Sequence, residues 1–193
     1  MKTIVWDVDD VLNDLMHSWF NNGWLPGHPD CTIDYSDIVE NPPHRIIGVS
    51  LEEYQKSLDA FRFAEAAKLK PIPEVHSWFI RYGSCCRHIV LTAVPLSAAD
   101  ISSAWVFKHF GPWIRSFNII PSLRTGNVIP VYDKTKKDFL ERWGKADILV
   151  EDNQVIIDAA HHLGIATVLI PRPWNKSEEN IVSALEYLIG LVI

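Results

Sequence analysis

Apolar positions along the chain follow two periods. Short, nearly continuous runs occur at Thr3-Ile4-Val5-Trp6, His88-Ile89-Val90-Leu91, Phe117-Asn118-Ile119-Ile120, Asp147-Ile148-Leu149-Val150 and Ala166 to Ile170. Runs of this length and β-branched content read as strands buried on both faces. Between them the spacing changes to that of helices. The first is expected over Val11 to Asn22, with Leu12, Leu15, Met16, Trp19 and Phe20 on one face and Gly23 ending it. A second begins after Ser50, which can cap it, with Glu52 and Glu53 favouring its positive end and Leu51, Tyr54, Leu58, Phe61 and Ala64 carrying it towards Lys68. Pro71 and Pro73 open a third, Glu74 to Tyr82, closed by Gly83.

The second half repeats the strand-helix alternation. Ser97 with Asp100 predicts a capped helix to Phe110, stopped by Gly111-Pro112, and Asp133 or Thr135 caps a short helix to Trp143. Val155, Ile156, Ala159, Ala160 and Leu163 form the inner stripe of the next helix, and Ser177 caps the last. Strands alternating with helices of this length predict βαβ units: an α/β, three-layer, Rossmann-like parallel sheet with helices on both faces. Residues 23 to 50 break the pattern, because Pro26, Gly27, Pro29, Pro42, Pro43 and Gly48 are scattered among polar and aromatic residues. That stretch is the natural centre of an insertion after the first strand.

With 193 residues and 48% hydrophobic composition the chain can bury a sizeable core. A net charge of -6 and a pI near 5.7 speak against a protein that chiefly neutralises a nucleic-acid backbone. Phosphate chemistry would then depend on a metal and a few placed cations. Cys31, Cys85 and Cys86 make a poor disulfide framework, no cleavable leader is evident after Met1-Lys2, and no apolar run reaches the ~18 residues of a membrane span. A cytoplasmic location is the expectation.

Three of the strands end on polar residues that can carry chemistry: Asp7 and Asp9, Thr92, and Glu151 with Asp152. The carboxyl ends of strands form the ligand crevice of open α/β sheets. Asp7 and Asp9 are two residues apart and leave an extended strand on the same side. Two carboxylates that converge raise one another's pKa unless a cation or a shared proton relieves the repulsion. That predicts a metal site, an acid/base pair, or both. The competing reading, an acidic turn capping the first helix, is one that Asp10 alone would satisfy.

In chain order, Asp7-Val8-Asp9-Asp10-Val11, Leu91-Thr92-Ala93, Asp133-Lys134-Thr135-Lys136-Lys137 and Ile148-Leu149-Val150-Glu151-Asp152-Asn153 resemble the four motifs of the haloacid dehalogenase-like hydrolase superfamily. With Phe61-Arg62-Phe63 and Leu69-Lys70-Pro71-Ile72-Pro73-Glu74-Val75 added, the chain is most similar to the 5'(3')-deoxyribonucleotidase branch and its bacterial relatives. Glu151 stands where the nucleotidases have the first Asp of an acidic pair, and Ile170-Pro171-Arg172-Pro173-Trp174-Asn175 looks more like the bacterial relatives. The resemblance implies a core of residues 1-12 and 73-193, with residues 13-72 forming a small, mainly helical cap.

It also implies a Mg2+-dependent phosphomonoesterase acting through an aspartyl-phosphate. Asp7 would be the nucleophile. Asp9 would protonate the leaving alkoxide and later take a proton from water. Thr92 would donate to a phosphoryl oxygen, and Lys134, preferred over Lys136 because the Asp-Lys-Thr string matches, would orient Asp7 and stabilise the transition state. Asp152 would bind Mg2+ with a carboxylate oxygen of Asp7 and the backbone carbonyl of Asp9, while Glu151 holds a metal-bound water. Phe20, Arg45 and Phe61 are candidates for gripping the substrate from the cap, as are Trp24, Tyr35 and Phe63, although aromatics at helical spacing are more often core. His161 and His162 lack metal-ligand spacing, and Trp174 and Asn175 lie beyond the last strand on the crevice side.

The expected partner is a small phosphorylated substrate such as a deoxynucleoside monophosphate, with no membrane, no strong nucleic-acid binding, and a homodimer left open. Two alternatives stand beside this: a polynucleotide end phosphatase, which the net acidity disfavours, and a non-catalytic nucleotide- or phosphate-binding protein of the same fold. Retention of both Asp7 and Asp9 argues against the second.

Overall fold

The computed structural model describes residues 1-126 and 128-193. Its strands are β1 Thr3–Trp6, β2 Arg87–Thr92, β3 Ile114–Ile119, β4 Ile148–Glu151 and β5 Ala166–Leu169. They form one sheet in the order β3-β2-β1-β4-β5, and every pairing is parallel. The helices are α1 Leu15–Trp19, α2 Leu51–Glu65, α3 Pro73–Tyr82, α4 Ala99–Phe110, α5 Lys136–Trp143, α6 Gln154–His161 and α7 Ile181–Val192.

Alternation along each strand divides the core in two. Ile4, Trp6, Val90, Ile148 and Val150 face α3, α4 and α7 through Val75, Phe79, Trp105, Phe110, Leu185 and Leu188. Val5, Ile89, Leu91 and Leu149 face α5 and α6 through Phe139, Leu140 and Ala160. This is the three-layer arrangement expected from the strand-helix alternation. On the first face His88 is buried between Trp6 Nε1, which donates to its Nδ1 at 3.0 Å, and the Gly83 carbonyl, 2.7 Å from its Nε2. Burial lowers its pKa, so the ring sits there neutral.

A third apolar cluster contains Leu15, Met16, Trp19, Phe20, Trp24, Ile38, Tyr54, Leu58 and Phe61, all from the segment between β1 and α3. That segment leaves and rejoins the sheet at one place: Asn13 and Pro71 form an antiparallel bridge, and Ile72 N donates to Leu12 O at 2.9 Å.

Several boundaries differ from the sequence reading, each for a local reason. The first helix starts at Leu15 rather than Val11, because the amides of Val11, Leu12 and Asn13 all turn back to the Val8 carbonyl. Nor does Gly23 end it: the chain continues through a π-helical turn, Phe20–Trp24. A Cβ on Gly23 would lie 2.8 Å from the Phe61 ring, so this glycine serves close packing against α2. Ser97 caps nothing; a 3-10 turn, Leu96–Ala98, leads into α4. Strand β3 begins at Ile114, three residues before the apolar run suggested. On α6, Val155 is 73% exposed and Ile157 takes its place in the core. Asn180, not Ser177, caps α7 by accepting from Ser183 N. By contrast, Ser50 caps α2 as expected, in a reciprocal capping box with Glu53. The three cysteines are free, and among the described residues no helix is long and apolar enough to cross a membrane.

Candidate active site

Strand order decides where the site lies. From β1 the chain builds outward on one side through β2 and β3, then returns to place β4 against the other edge of β1. A crevice opens at the carboxyl ends of the strands where the order reverses, between β1 and β4. Asp7 follows β1 directly and its amide still donates to Val150 O at 3.0 Å; Glu151 and Asp152 end β4 beside it. Thr92, 1% exposed, ends β2 on the other side.

Carboxylate oxygens of Asp7, Glu151 and Asp152 all lie within 4.8 Å of one another, and all three residues are buried. One cation reaches into this cluster, the ammonium of Lys136, 2.8 Å from Asp7 Oδ2 and 2.6 Å from Glu151 Oε2. Burial first, and then Glu151 and Asp9, push the Asp7 carboxyl up to about 7 against the pull of Lys136. Asp152 also rises to about 7, through burial and then its neighbours Asp7 and Asp10. Glu151 rises to about 7 through burial, with Lys136 opposing and Asp152 adding to the shift. Burial alone would lower the Lys136 ammonium, but Asp7 and Glu151 outweigh it and hold it firmly charged.

The lysine of the site is therefore not the one the Asp-Lys-Thr string favoured. Lys134 is exposed at the cleft mouth, its backbone amide donating to Asp138 Oδ2, whereas Lys136 is 5% exposed. Thr135 caps α5 in a reciprocal box with Asp138, which makes Lys136 the first helical residue. Side chains of a helix lean towards its N-terminus, so a lysine there points back at the strand ends. The Thr-x-x-Asp capping box was the signal in the sequence that could have identified it.

Asp10 takes the structural role anticipated for it, its Oδ1 accepting from Met16 N at the start of α1 at 2.9 Å. Its backbone is left-handed, with φ 63, a conformation that Asp tolerates better than most residues. Asp9 is held by two partners: Arg62 NH2 at 2.8 Å from Oδ2, and Asn13 Nδ2 at 3.3 Å from Oδ1. Asp152 Oδ2 accepts from Trp174 Nε1 at 2.7 Å, and Asn175 Nδ2 ties the Asp152 carbonyl to that of Ile170, at 2.8 Å each. Trp174 and Asn175 thus orient Asp152.

A cleft of about 840 Å³ opens in front of these groups, lined by Asp7, Asp9, Thr92, Lys136, Glu151 and Asp152 on the sheet side. On the far side stand Tyr54, Leu58, Arg62, Leu123 and Arg124. Phe20 and Phe61, candidates for gripping a substrate, are instead packed in the third apolar cluster, and Arg45 is exposed on a 3-10 turn; none of the three lines the cleft. Trp24 and Tyr35 also pack in or against that cluster, and Phe63 is half exposed. His161 lies against the Thr167 hydroxyl, away from the cleft. The residues missed from the sequence are Arg62 and Arg124.

The donor set fits a hard divalent cation. It is all oxygen, it is buried, and Asp7 Oδ1 has no hydrogen-bond partner despite being enclosed. Both oxygens of Glu151 are already engaged, Oε2 by Lys136 and Oε1 by the amides of Asp152 and Asn153 at 3.2 and 3.3 Å. Asp7 and Asp152 are therefore the better side-chain ligands, with Glu151 steadying the lysine and the turn.

The chain matches no protein-family model and no curated protein. Solved structures do resemble it over nearly their full length. A haloacid dehalogenase-like family hydrolase from Streptococcus pneumoniae is 13% identical with a TM-score of 0.62, covering 98% of each chain. A haloacid dehalogenase superfamily hydrolase of subfamily IA from Geobacter sulfurreducens is 14% identical with a TM-score of 0.55, covering 100% of this chain and 97% of its own. A predicted phosphatase from Clostridium acetobutylicum is 14% identical with a TM-score of 0.59, covering 95% of this chain and 90% of its own. The chain has the fold of the haloacid dehalogenase-like hydrolases, the one its four motifs, three at strand ends and one at the start of a helix, anticipate.

Proposed function

We propose that this protein is a Mg2+-dependent phosphomonoesterase that works through an aspartyl-phosphate on Asp7. The observation that carries this reading is the convergence of Asp7, Asp152 and the Lys136–Glu151 pair at the point where the strand order reverses, with Thr92 alongside. Asp7, Asp152 and the Asp9 backbone carbonyl would hold a divalent cation, which would supply the charge that lets an anionic nucleophile approach an anionic phosphate.

The chain's own groups do the rest. The Asp7 carboxylate attacks phosphorus, the bond to the ester oxygen breaks, and Asp9 gives that oxygen its proton. Water then attacks the phosphorus of the acyl phosphate, Asp9 takes a proton back, and inorganic phosphate leaves with Asp7 restored. Lys136 fixes Asp7 and, with the Thr92 hydroxyl, faces the charge that develops on the phosphoryl oxygens. Residues 13-72 act as a cap over the cleft; their separate apolar cluster and the reach of Arg62 to Asp9 support this.

The substrate is a small phosphate ester. Deoxynucleoside monophosphates belong in the test set, although Phe20 and Phe61 are not presented to a base. Phosphate release from deoxynucleotides, sugar phosphates, p-nitrophenyl phosphate and an oligonucleotide 3'-phosphate, with Mg2+ and with a chelator, tests the reading. Turnover that needs Mg2+ and disappears in Asp7→Asn is expected. Absence of turnover across the panel, or turnover that survives in Asp7→Asn, overturns it.

A further inference from the structure

The cleft's far wall carries an unusual chain of charge. Arg62 bonds Asp9 through NH2 at 2.8 Å and Asp59 through NH1 at 3.1 Å. Arg124, on the loop after β3, grips the same Asp59 from Nε at 2.6 Å and NH2 at 2.9 Å. Asp59 and Arg62 come from α2 and Arg124 from the loop after β3, so the chain ties α2 to that loop along the far wall, and both arginines line the cleft. Arg62 is 9% exposed, yet its guanidinium has more N–H donors than its two partners use, and Nε is buried with no partner at all. A buried charged donor left unpaired is costly, and a bound acceptor would relieve it.

We propose, on the phosphomonoesterase reading above, that Arg62, backed by Arg124 through Asp59, binds a carboxylate on the substrate's leaving group. The protein thereby selects phosphate esters of hydroxy acids. Distance sets the position of that carboxylate. Arg62 lies one hydrogen bond from Asp9, the group placed at the ester oxygen, so the acceptor it meets is only a few bonds along the leaving group. Charge sets its kind. Asp9 and Asp59 together cancel Arg62 and Arg124, so an arriving anion takes up the donors Arg62 has unused and competes with Asp9 for NH2. A carboxylate is a one-for-one replacement, matched to the planar guanidinium fork. The exchange also releases Asp9 from Arg62 and leaves it free to turn to the ester oxygen. Beyond Arg62, the side chains of Tyr54, Leu58 and Leu123 offer an apolar wall for whatever the leaving group carries further out.

Three small esters of nearly equal size separate the possibilities: 2-phosphoglycolate, ethyl phosphate and 2-aminoethyl phosphate, assayed with Mg2+ and, for binding, titrated calorimetrically. Wild type should favour 2-phosphoglycolate over ethyl phosphate by roughly tenfold or more in kcat/KM, mostly through KM, with 2-aminoethyl phosphate below both. That preference should collapse towards unity in Arg62→Gln and shrink in Arg124→Gln. A wild-type ratio near one, or a ratio that survives both substitutions, overturns the proposal. If Arg62→Gln does not fold, the wild-type ratio and Arg124→Gln decide. If no ester, p-nitrophenyl phosphate included, is hydrolysed, the phosphomonoesterase reading fails on its own. The binding titration then judges the arginines: tighter 2-phosphoglycolate binding supports them, and equal or undetectable binding of the three esters overturns them.

Discussion

Asp7 and Glu151 share one lysine, with Asp152 beside them, whereas the neighbouring pair Asp9 and Asp59 share two arginines. The first cluster is short of positive charge and is buried, so its carboxyls are pushed up to about 7. The second is balanced, and Asp9 pulls the Arg62 guanidinium further up against the effect of burial. Two neighbouring groups of acids thus differ in what they lack. One has room for a cation, and the other has a cation whose donors are not all used.

The contrast can be broken at several points. The largest effect belongs to Asp7→Asn, which removes the proposed nucleophile and should cut phosphate release by more than about 1000-fold with the fold intact. Circular dichroism beside the rate assay checks both halves. Next is Lys136→Met, which strips the sheet-side cluster of its single cation. Removing one partner of a buried ion pair costs about 3–5 kcal/mol, whereas Lys134→Met, at an exposed site, should change stability by no more than about 0.5 kcal/mol. Urea unfolding of the two variants compares the lysines directly; equal losses would return Lys134 to consideration.

A metal and pH test follows in size. The acids of the first cluster have folded pKa values raised to about 7 from model values of 3.8 and 4.5, so the folded state binds more protons than the unfolded state across that window. Without metal, stability should therefore be greatest at the acid end and fall as pH rises from about 4 to 7. On the proposed function, Mg2+ would bind the ionised form and reverse the fall, adding about 2.7 kcal/mol at a concentration one hundred times its Kd. Melting curves at pH 5 and 7.5, with chelator and with Mg2+, read this; equal Mg2+ effects at both pH values would sink it. The smallest effect is expected from Trp174→Phe, which keeps an aromatic ring against Tyr35 but loses the hydrogen bond to Asp152. Removing such a supporting contact should weaken Mg2+ binding by roughly tenfold, measurable by calorimetry.

The sheet side of this comparison was legible in the sequence because strands buried on both faces leave unbroken apolar runs, and the polar residues that end them stand out. Asp7, Thr92, Glu151 and Asp152 were all found that way. Lys136 was ranked behind Lys134 because a matching local string outweighed the capping box that sets where α5 begins. The far wall was harder to read. Arg62 falls four residues after Leu58 and eight after Tyr54, inside the apolar stripe of α2, where a charged residue is itself a signal. Its partners lie 53 residues upstream at Asp9 and, through Asp59, on a loop 65 residues from that acid. No helical or strand period connects positions so far apart; only the folded chain brings them together.

The bridge between Asn13 and Pro71, with Ile72 N bonded to Leu12 O, has a further consequence for how such a chain can change over time. Because the two ends of the intervening segment meet at one point, residues can be gained or lost within it without shifting β1 against β2 or moving α3. The strand ends and the segment between Asn13 and Pro71 can then drift largely separately, one held by the register of a parallel sheet and the other tied to it through a few contacts such as Arg62 with Asp9 and Asp59 with Arg124. A chain of this design can keep its chemistry while exchanging the molecules it admits.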